Sequence, residues 1–469
     1  MRVNKLKIIY GLLVLSWLWV GKSFGQDDGA IFSYEELLKN VLTHHPIAEQ
    51  AFLQELRADV RWLGAKGGFD PVVDAGWAQK NFDDLLYYRQ YQGSITVPTP
   101  LGIDLVGGYE NTEGTFLNPE NKTDRFGLWN VGIEANLLQG LFVNERNTAI
   151  RQAQIFQNSA INQQRLMLNK LLYSAASAYF QWQQSFYAQQ VLENNIRTAQ
   201  TYFNSTRASY LGGEKTAMDT LEALIILQDA EVLLQANSAN LNKAKQQLEN
   251  YLWFDGAPVG LTSGTQPQDY LDAIFSNNVL PPDSLMLNSN PMILETRYKQ
   301  QELEVEQRLK REKLKPKLKV KYHPLIATSD NDISPNLSSS NYEWGFDFSV
   351  PIFQRKARAD VQEGKIKLIE VGLDLENKRN ELLNKIQNSQ QQQDILQDQL
   401  ALQQQNISGY QLLLEGENEK FRFGESSVFL LNKRQEKFIF GQLKLIALFV
   451  KLTQERLNYR YLTNNLITQ

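Results

Sequence analysis

The amino-acid sequence predicts a chain of mixed class, in which long coiled-coil-like α-helices are joined to membrane-crossing β-strands and the whole is written as two internal repeats. Three observations carry that prediction. Two very long stretches lack helix breakers and place apolar residues at three- and four-residue steps. Each ends at a similar glycine-stopped turn, and each half also carries short segments in which the apolar period drops to two.

The first residues, Met1-Arg2-Val3-Asn4-Lys5-Leu6-Lys7 and then Ile8 to Val20, give a basic start followed by an apolar run too short and too early for a spanning helix. This reads as a secretory signal peptide over 1–25, cut after the small residues Ser23 and Gly25 so that the mature chain begins at Gln26. No later apolar run reaches the roughly 18 residues that a membrane helix needs. A membrane is therefore entered as strands. Formal net charge is −4, or −8 without the leader's Arg2, Lys5, Lys7 and Lys22, and no basic block tracks phosphates, which excludes nucleic acid as a partner. Cysteine is absent, which excludes disulfides, thiolate metal sites and an acylated N-terminal cysteine.

The first repeat, 26–253, opens with a helix expected from Tyr34 to about Lys66, around His45-Pro46. Phe69-Asp70-Pro71 ends it and starts alternating text, Val73, Ala75, Trp77. Leu128 to Leu138 supplies a return strand. Between them, Ser94 to Val97 and Ile103 to Val106 flank Pro98-Thr99-Pro100, so an extra hairpin over Tyr91 to Tyr109 stays open. The polar stretch Asn111 to Arg125 reads as an extracellular loop. From Leu141 to Leu211 there is neither Gly nor Pro, while Leu168, Leu171, Ala175, Ala178 and Trp182 keep a helical apolar spacing. The helix stops at Tyr210-Leu211-Gly212-Gly213-Glu214, and another runs from Ala217 to about Trp253.

A linker over 254–282, rich in Gly, Pro, Ser and Asp, is expected to wrap the helices near their middle. The second repeat, 283–469, follows the same order. Asn290-Pro291 opens a helix to about Leu314, and Lys315-Pro316 leads into Leu318, Val320, Tyr322. A polar tip, Ala327 to Asn341, precedes a return strand from Tyr342 to Val350, in which Trp344, Phe346 and Phe348 make one face against Glu343, Gly345 and Asp347. That is the apolar-out, polar-in pattern of a transmembrane barrel, and it makes those three aromatics the candidates for contact with outer-membrane lipid. Ile352 to Phe423 reads as the second long helix; its Gln-rich part, Gln390 to Gln405, would suit a disordered tract were Ile386, Leu396, Leu400 and Ile407 not spaced for a helix. It stops at Phe421-Arg422-Phe423-Gly424-Glu425, and Val428 to about Tyr461 is the last helix.

Helices of roughly 70 residues are about 105 Å long, and the two shorter helices of the first half would together match that length end to end. Four strands per chain, taken as a minimum, cannot close a barrel, and an open edge in hydrocarbon leaves backbone groups unpaired at several kcal/mol each. Several chains must share one barrel; three chains with four strands each would give twelve.

In order and local text the sequence resembles the TolC-like outer-membrane factor family, from about Ile31 to Leu462. The matching pieces are His45-Pro46 and Asn290-Pro291, Pro71 and Pro316 entering strands, Val350-Pro351-Ile352-Phe353 leaving them, and above all Arg207 to Ala223, RASYLGGEKTAMDTLEA. The resemblance implies a homotrimer with a twelve-strand barrel, continued by a helical periplasmic barrel. It also implies an outer-membrane exit duct for efflux or type I secretion, docked to a periplasmic adaptor (membrane fusion) protein and an inner-membrane RND or ABC pump. The helix tips, Gly212, Gly213, Glu214, Gly424 and Glu425, would meet the adaptor. In relatives, acids after the second tip narrow the periplasmic entrance, whereas here Ser426 to Lys433 has Leu430, Asn432 and Lys433 and no acid. Asp219 and Glu222, three apart after the first tip, are then the entrance candidates.

The competing expectation is a soluble periplasmic coiled-coil scaffold, which would have no need of Trp344, Phe346 and Phe348 on one face. No catalytic, metal or cofactor site is expected: GxSxG, phosphate-loop and HExxH motifs are missing, and His44, His45 and His323 have no ligand spacing.

Overall fold

The structure, a computed structural model, describes residues 30–272, 274–275, 284–329, 332–336 and 339–466. The expected leader 1–25, the linker's end and parts of the tip over 327–341 lie outside the described residues. The chain opens with β1 (Ile31–Phe32), α1 (Tyr34–His44) and α2 (Pro46–Lys66). One helix was expected over this stretch and there are two. The residue before a proline is pushed out of the helical region, and His45 accordingly sits at φ −76°, ψ 132°. A capping box starts α1: Ser33 Oγ accepts from the Glu36 amide at 3.2 Å and Glu36 Oε2 from the Ser33 amide at 2.9 Å.

Four strands follow, β2 (Val72–Phe82), β3 (Leu85–Pro98), β4 (Ile103–Glu113) and β5 (Leu128–Asn136). The stretch left open in the sequence is thus strand, and the first repeat holds four strands. The β2–β3 turn is two residues, Asp83 and Asp84, both left-handed at φ 51° and 57°, the pairing that suits strand twist in a tight hairpin. Next come α3 (Glu145–Leu211), α4 (Ala217–Glu249) and the short pieces β6 (Trp253–Phe254), β7 (Ala257–Pro258) and β8 (Gln266–Pro267). Helix α4 stops earlier than the sequence suggests because Trp253 and Phe254 turn back through Asp255 and Gly256 to pair with Ala257 and Pro258.

The second repeat contributes α5 (Ser284–Ser289), α6 (Pro291–Glu312), β9 (Lys317–Ser329), β10 (Asp332–Asn336), β11 (Tyr342–Ser349), α7 (Arg355–Arg422) and α8 (Val428–Leu462). Helix α7 begins at Arg355 rather than Ile352, since Gln354 holds a left-handed φ of 47°. At 67 and 68 residues, α3 and α7 are each about 100 Å long.

All the long strands form one antiparallel sheet in the order β2, β3, β4, β5, β9, with β11 along the lower part of β9 and the short β10 at its end. Among the described residues there are therefore six long strands, beyond the minimum of four, and the sheet ends on β2 at one side and β11 at the other.

The chain forms two compact units, and each draws on both repeats. A strand unit takes 47–170, 280–388 and the end of α8; a tip unit takes the N-terminus to Pro46, 171–279 and 389–459. Both are seamed by amides that reach neighbouring backbone. In the strand unit, Asn162 Nδ2 donates to the Pro291 carbonyl at 2.8 Å, Asn169 Nδ2 to Tyr461 at 2.8 Å and Gln307 Nε2 to Val361 at 3.0 Å. Each is buried. In the tip unit, Gln403 Nε2 donates to the Gly441 carbonyl at 3.0 Å, and Leu396 packs with Leu448 and Leu452. Within the Gln-rich text Gln403 thus acts as an interhelical donor, while the side-chain oxygens of Asn162, Asn169 and Gln307 and the Gln393 Nε2 are buried without a partner.

Midway along α3, Tyr179 organises a ring cluster with Phe32, Tyr34, Phe180 and Trp182. Its hydroxyl donates to the Phe32 carbonyl at 2.7 Å and accepts from the Gln268 amide at 3.0 Å. The buried phenol thereby fastens β1 and the linker to α3, while β1 and β8 pair in parallel.

Candidate functional site

The sheet of the strand unit has two chemically opposite faces. Read across the register, Tyr109 lies opposite Trp129, Leu105 opposite Ile133, Ile133 opposite Tyr322, Tyr322 opposite Trp344 and Val320 opposite Phe346. The three aromatics singled out in the sequence thus belong to a broad apolar band. They are among its most exposed members, at 62, 63 and 59 % for Trp344, Phe346 and Phe348. An exposed apolar surface this wide is stable against lipid and unstable against water.

The opposite face is charged and internally balanced. Lys319 Nζ meets Glu134 at 2.7 Å, Lys321 Nζ meets Glu343 at 2.6 Å, and His323 lies between the two carboxylates at 3.7 and 3.9 Å. A Cβ at Gly132 would collide with the His323 ring, so this glycine makes the space for it. Near the base of the same strands Arg146 meets Asp104 at 2.7 Å. The sequence shows Lys317, Lys319, Lys321 and His323 at every second position; their acidic partners come from β5 and β11 and depend on a register that alternation alone does not give. Among the described residues, no three of His, Cys, Asp and Glu gather as metal ligands.

The tip unit holds both helix hairpins. At the first, the Gly213 amide donates to Tyr210 at 3.0 Å and the Glu214 amide to Ser209 at 2.9 Å, with Gly213 at φ 83°. The second repeats the pattern: Gly424 to Phe421 at 3.1 Å and Glu425 to Lys420 at 2.9 Å, with Gly424 at φ 75°. Both are Schellman closures, and they pair Gly213 with Gly424; Gly212 is the preceding residue and lies outside the left-handed region. Glu214 and Glu425 are exposed, as are the apolar Leu211 at 77 % and Phe423 at 80 %. The tips also touch: Lys215 Nζ lies 4.9 Å from the centre of the Phe421 ring. Beside them a cleft of about 470 Å³ is lined by Tyr202, Ile226, Leu233, Leu431, Ile439 and Phe440.

The two entrance acids have different surroundings. Asp219 is the third residue of α4 and completes a capping box, its Oδ2 accepting from the Thr216 amide at 2.9 Å and from the Thr216 hydroxyl at 2.7 Å. These bonds hold its carboxyl below the usual range. Glu222 sits one turn on, its charge felt by Tyr202, whose phenol is raised chiefly by burial. After the second tip, Ser427 Oγ caps α8 by accepting from the Leu430 amide at 3.3 Å. Leu430 thus stands where the first tip has Asp219, and Lys433 where it has Glu222.

The family model for outer membrane efflux proteins matches residues 91–252 and 284–444, one match in each repeat and together more than half of the chain. In fold the chain is similar to CusC, described in connection with transmembrane channel formation, with a TM-score of 0.69 at 16 % identity over 94 % of this chain and 95 % of that one. It is also similar to the CmeC outer membrane channel of Campylobacter jejuni, with a TM-score of 0.66 at 11 % identity over 92 % and 85 % of the two chains. For the outer membrane protein VceC of Vibrio cholerae the TM-score is 0.65 at 12 % identity, over 92 % and 96 %. No curated protein matches the sequence. A two-faced antiparallel sheet carried on helices of this length defines an outer-membrane channel with its helices in the periplasm. The chain belongs to the outer membrane efflux protein family, and efflux across the outer membrane is its function. The soluble-scaffold alternative falls with that membership.

Proposed function

We propose that three copies share one barrel and act as a passive exit duct, docked through the helix tips to a periplasmic adaptor and driven by an inner-membrane pump of the RND or ABC kind. The observation that carries the shared barrel is the open sheet, whose edges β2 and β11 have no strand partner among the described residues for their outer backbone groups. In hydrocarbon that costs several kcal/mol per group, and a neighbouring copy removes the cost. Apolar stripes left exposed in the strand unit support the same assembly: Leu53, Leu56, Val60 and Leu63 on α2, and Ile366, Ile369 and Leu373 on α7.

Adaptor docking at Gly212, Gly213, Glu214, Gly424 and Glu425 is supported by the exposed Leu211 and Phe423 around them. Both acids carry charge to favour cations at the entrance: the Thr216 bonds keep Asp219 ionised, and Glu222 follows one turn on. Purified protein in a planar bilayer is expected to conduct ions with no energy source, with Glu222→Gln and Asp219→Asn each lowering the preference for cations and Asp219→Asn also weakening the helix start. A protein that inserts without conducting would overturn the duct; unchanged selectivity in Glu222→Gln would remove the acid from the entrance.

A further inference from the structure

The β2–β3 hairpin, Val72 to Pro98, gives the first repeat a pair of strands with no counterpart among the described residues of the second. Its side chains keep the phase of the wall. On the apolar face Val73 lies opposite Ile95 and Trp77 opposite Tyr91; Ile95 in turn faces Gly107, and Val97 faces Leu105. On the polar face Asp74 lies opposite Ser94, Ser94 opposite Gly108 and Gly108 opposite Asn130. A one-residue slip would exchange the faces; none occurs from β3 to β5, and the one shift in the β2–β3 ladder, between Lys80 and Asn81, lies at the turn end, beyond the paired residues from Val72 to Lys80. The hairpin is also built in at its base. Asn147 Nδ2 donates to the Pro100 carbonyl at 2.7 Å, and a Cβ at Gly102 would come within 2.6 Å of the Leu141 carbonyl oxygen, so the turn sits against the start of α3. A flap standing in water would expose Val73, Trp77, Ile95 and Val97 without return.

Strand direction fits closure. In the antiparallel order β2 runs with β4 and β9, and β11 runs against them, so β2 of one copy and β11 of another meet antiparallel. Inserting a whole hairpin preserves that polarity, as inserting a single strand would not.

We propose that β2 and β3 are part of the membrane wall and that β2 of each copy pairs with β11 of the next, giving six strands per copy. Resting on the trimer reading above, this makes an eighteen-strand barrel in place of the twelve implied by the resemblance. With strands about 4.8 Å apart and tilted by about 40°, the diameter rises from about 24 to about 36 Å between backbones. The exit is about half as wide again, which suits bulkier or more strongly hydrated cargo than a twelve-strand exit passes.

Cysteine pairs on the polar face test the edge in the assembled full-length mature protein. Asp347→Cys on β11 is combined with Asp74→Cys or Ala78→Cys on β2, and separately with Val106→Cys on β4, with thiols joined by a short bifunctional reagent. Covalent multimers are expected from a β2 pair and not from the β4 pair; the reverse would overturn the proposal. Spin labels give an independent reading. A label at Ile95 is expected to be relaxed by oxygen dissolved in the bilayer, and one at Ser94 by a water-soluble reagent. A water-exposed label at Ile95 would place the hairpin outside the wall and overturn the inference even if no pair cross-links. Native mass separates the two claims: β2 cross-links in an assembly of another size would sink the trimer and leave six strands per copy, whereas a trimer with β4 cross-links would do the opposite.

Discussion

The two repeats agree closely in their helices and differ in their strands. The long helices have 67 and 68 residues and the helices after the tips 33 and 35, and both hairpins close through the same pair of backbone bonds around a left-handed glycine. The strand sections hold four long strands against two. The difference follows from what each part must satisfy. A periplasmic span fixes helix length, because one residue shifts a tip by about 1.5 Å and moves it out of line with its counterpart. A barrel wall restricts only strand polarity and the alternation of faces, so a hairpin can be added without disturbing its neighbours.

The largest effect expected from this contrast is at the wall. Phe346→Arg on the apolar face should cost about 2–4 kcal/mol near mid-membrane, and Val73→Arg a comparable amount if β2 lies in lipid, while Asp347→Arg on the polar face costs far less. Unfolding of the refolded protein in lipid vesicles measures all three, and equal costs on the two faces would break the assignment of sides. Next come the tips: Gly213→Ala and Gly424→Ala should each destabilise by about 1–2 kcal/mol, the penalty for a left-handed alanine, with Gly212→Ala near neutral. Unequal losses at Gly213 and Gly424 in thermal melts would break the equivalence of the hairpins. Smaller again, Thr216→Ala should cost about 1 kcal/mol through its capping box, and Ser427→Ala somewhat less because Leu430 offers no reciprocal bond.

The smallest effect is a pH dependence that comes from His45 in the first repeat. His45 is stacked on Tyr251 and edge-on to Trp253, and burial lowers its pKa from the ordinary value of 6.5. The neutral ring is the one the fold accepts, so its contribution is fully present above pH 6.5 and fades as pH falls below that value toward the depressed one. Melting temperature should drop on acidification through this window and drop less in His45→Gln; Asn290, which stands in the corresponding place, has no such titration.

Helix ends were legible where a residue has one conformational reason to be there, at Pro291, Gly213 and Gly424, while the break that Pro46 makes between α1 and α2 was read as part of one helix. The shared wall was legible in part, from Trp344, Phe346 and Phe348, since three aromatics in alternation have few other uses. The strand count was not. The turn at Asp83-Asp84 lacks the Asn-Gly signature of a tight hairpin, and Gln79, Arg89 and Gly93 fall at positions of the apolar face and dilute the alternation on either side of it. The balanced charges around His323 were hidden for a different reason, because Glu134 and Glu343 meet Lys319 and Lys321 only once three strands are in register. Asp219 was read from spacing as an entrance acid, and the Thr216 capping box that also engages it runs over the four residues Thr216 to Asp219.

The most direct test of the account is the native mass of the mature protein extracted in mild detergent from isolated outer membranes, with and without boiling. A heat-sensitive species of three chain masses is the predicted result. A monomer recovered from the soluble periplasm would contradict the shared barrel, and with it the exit duct built from three copies.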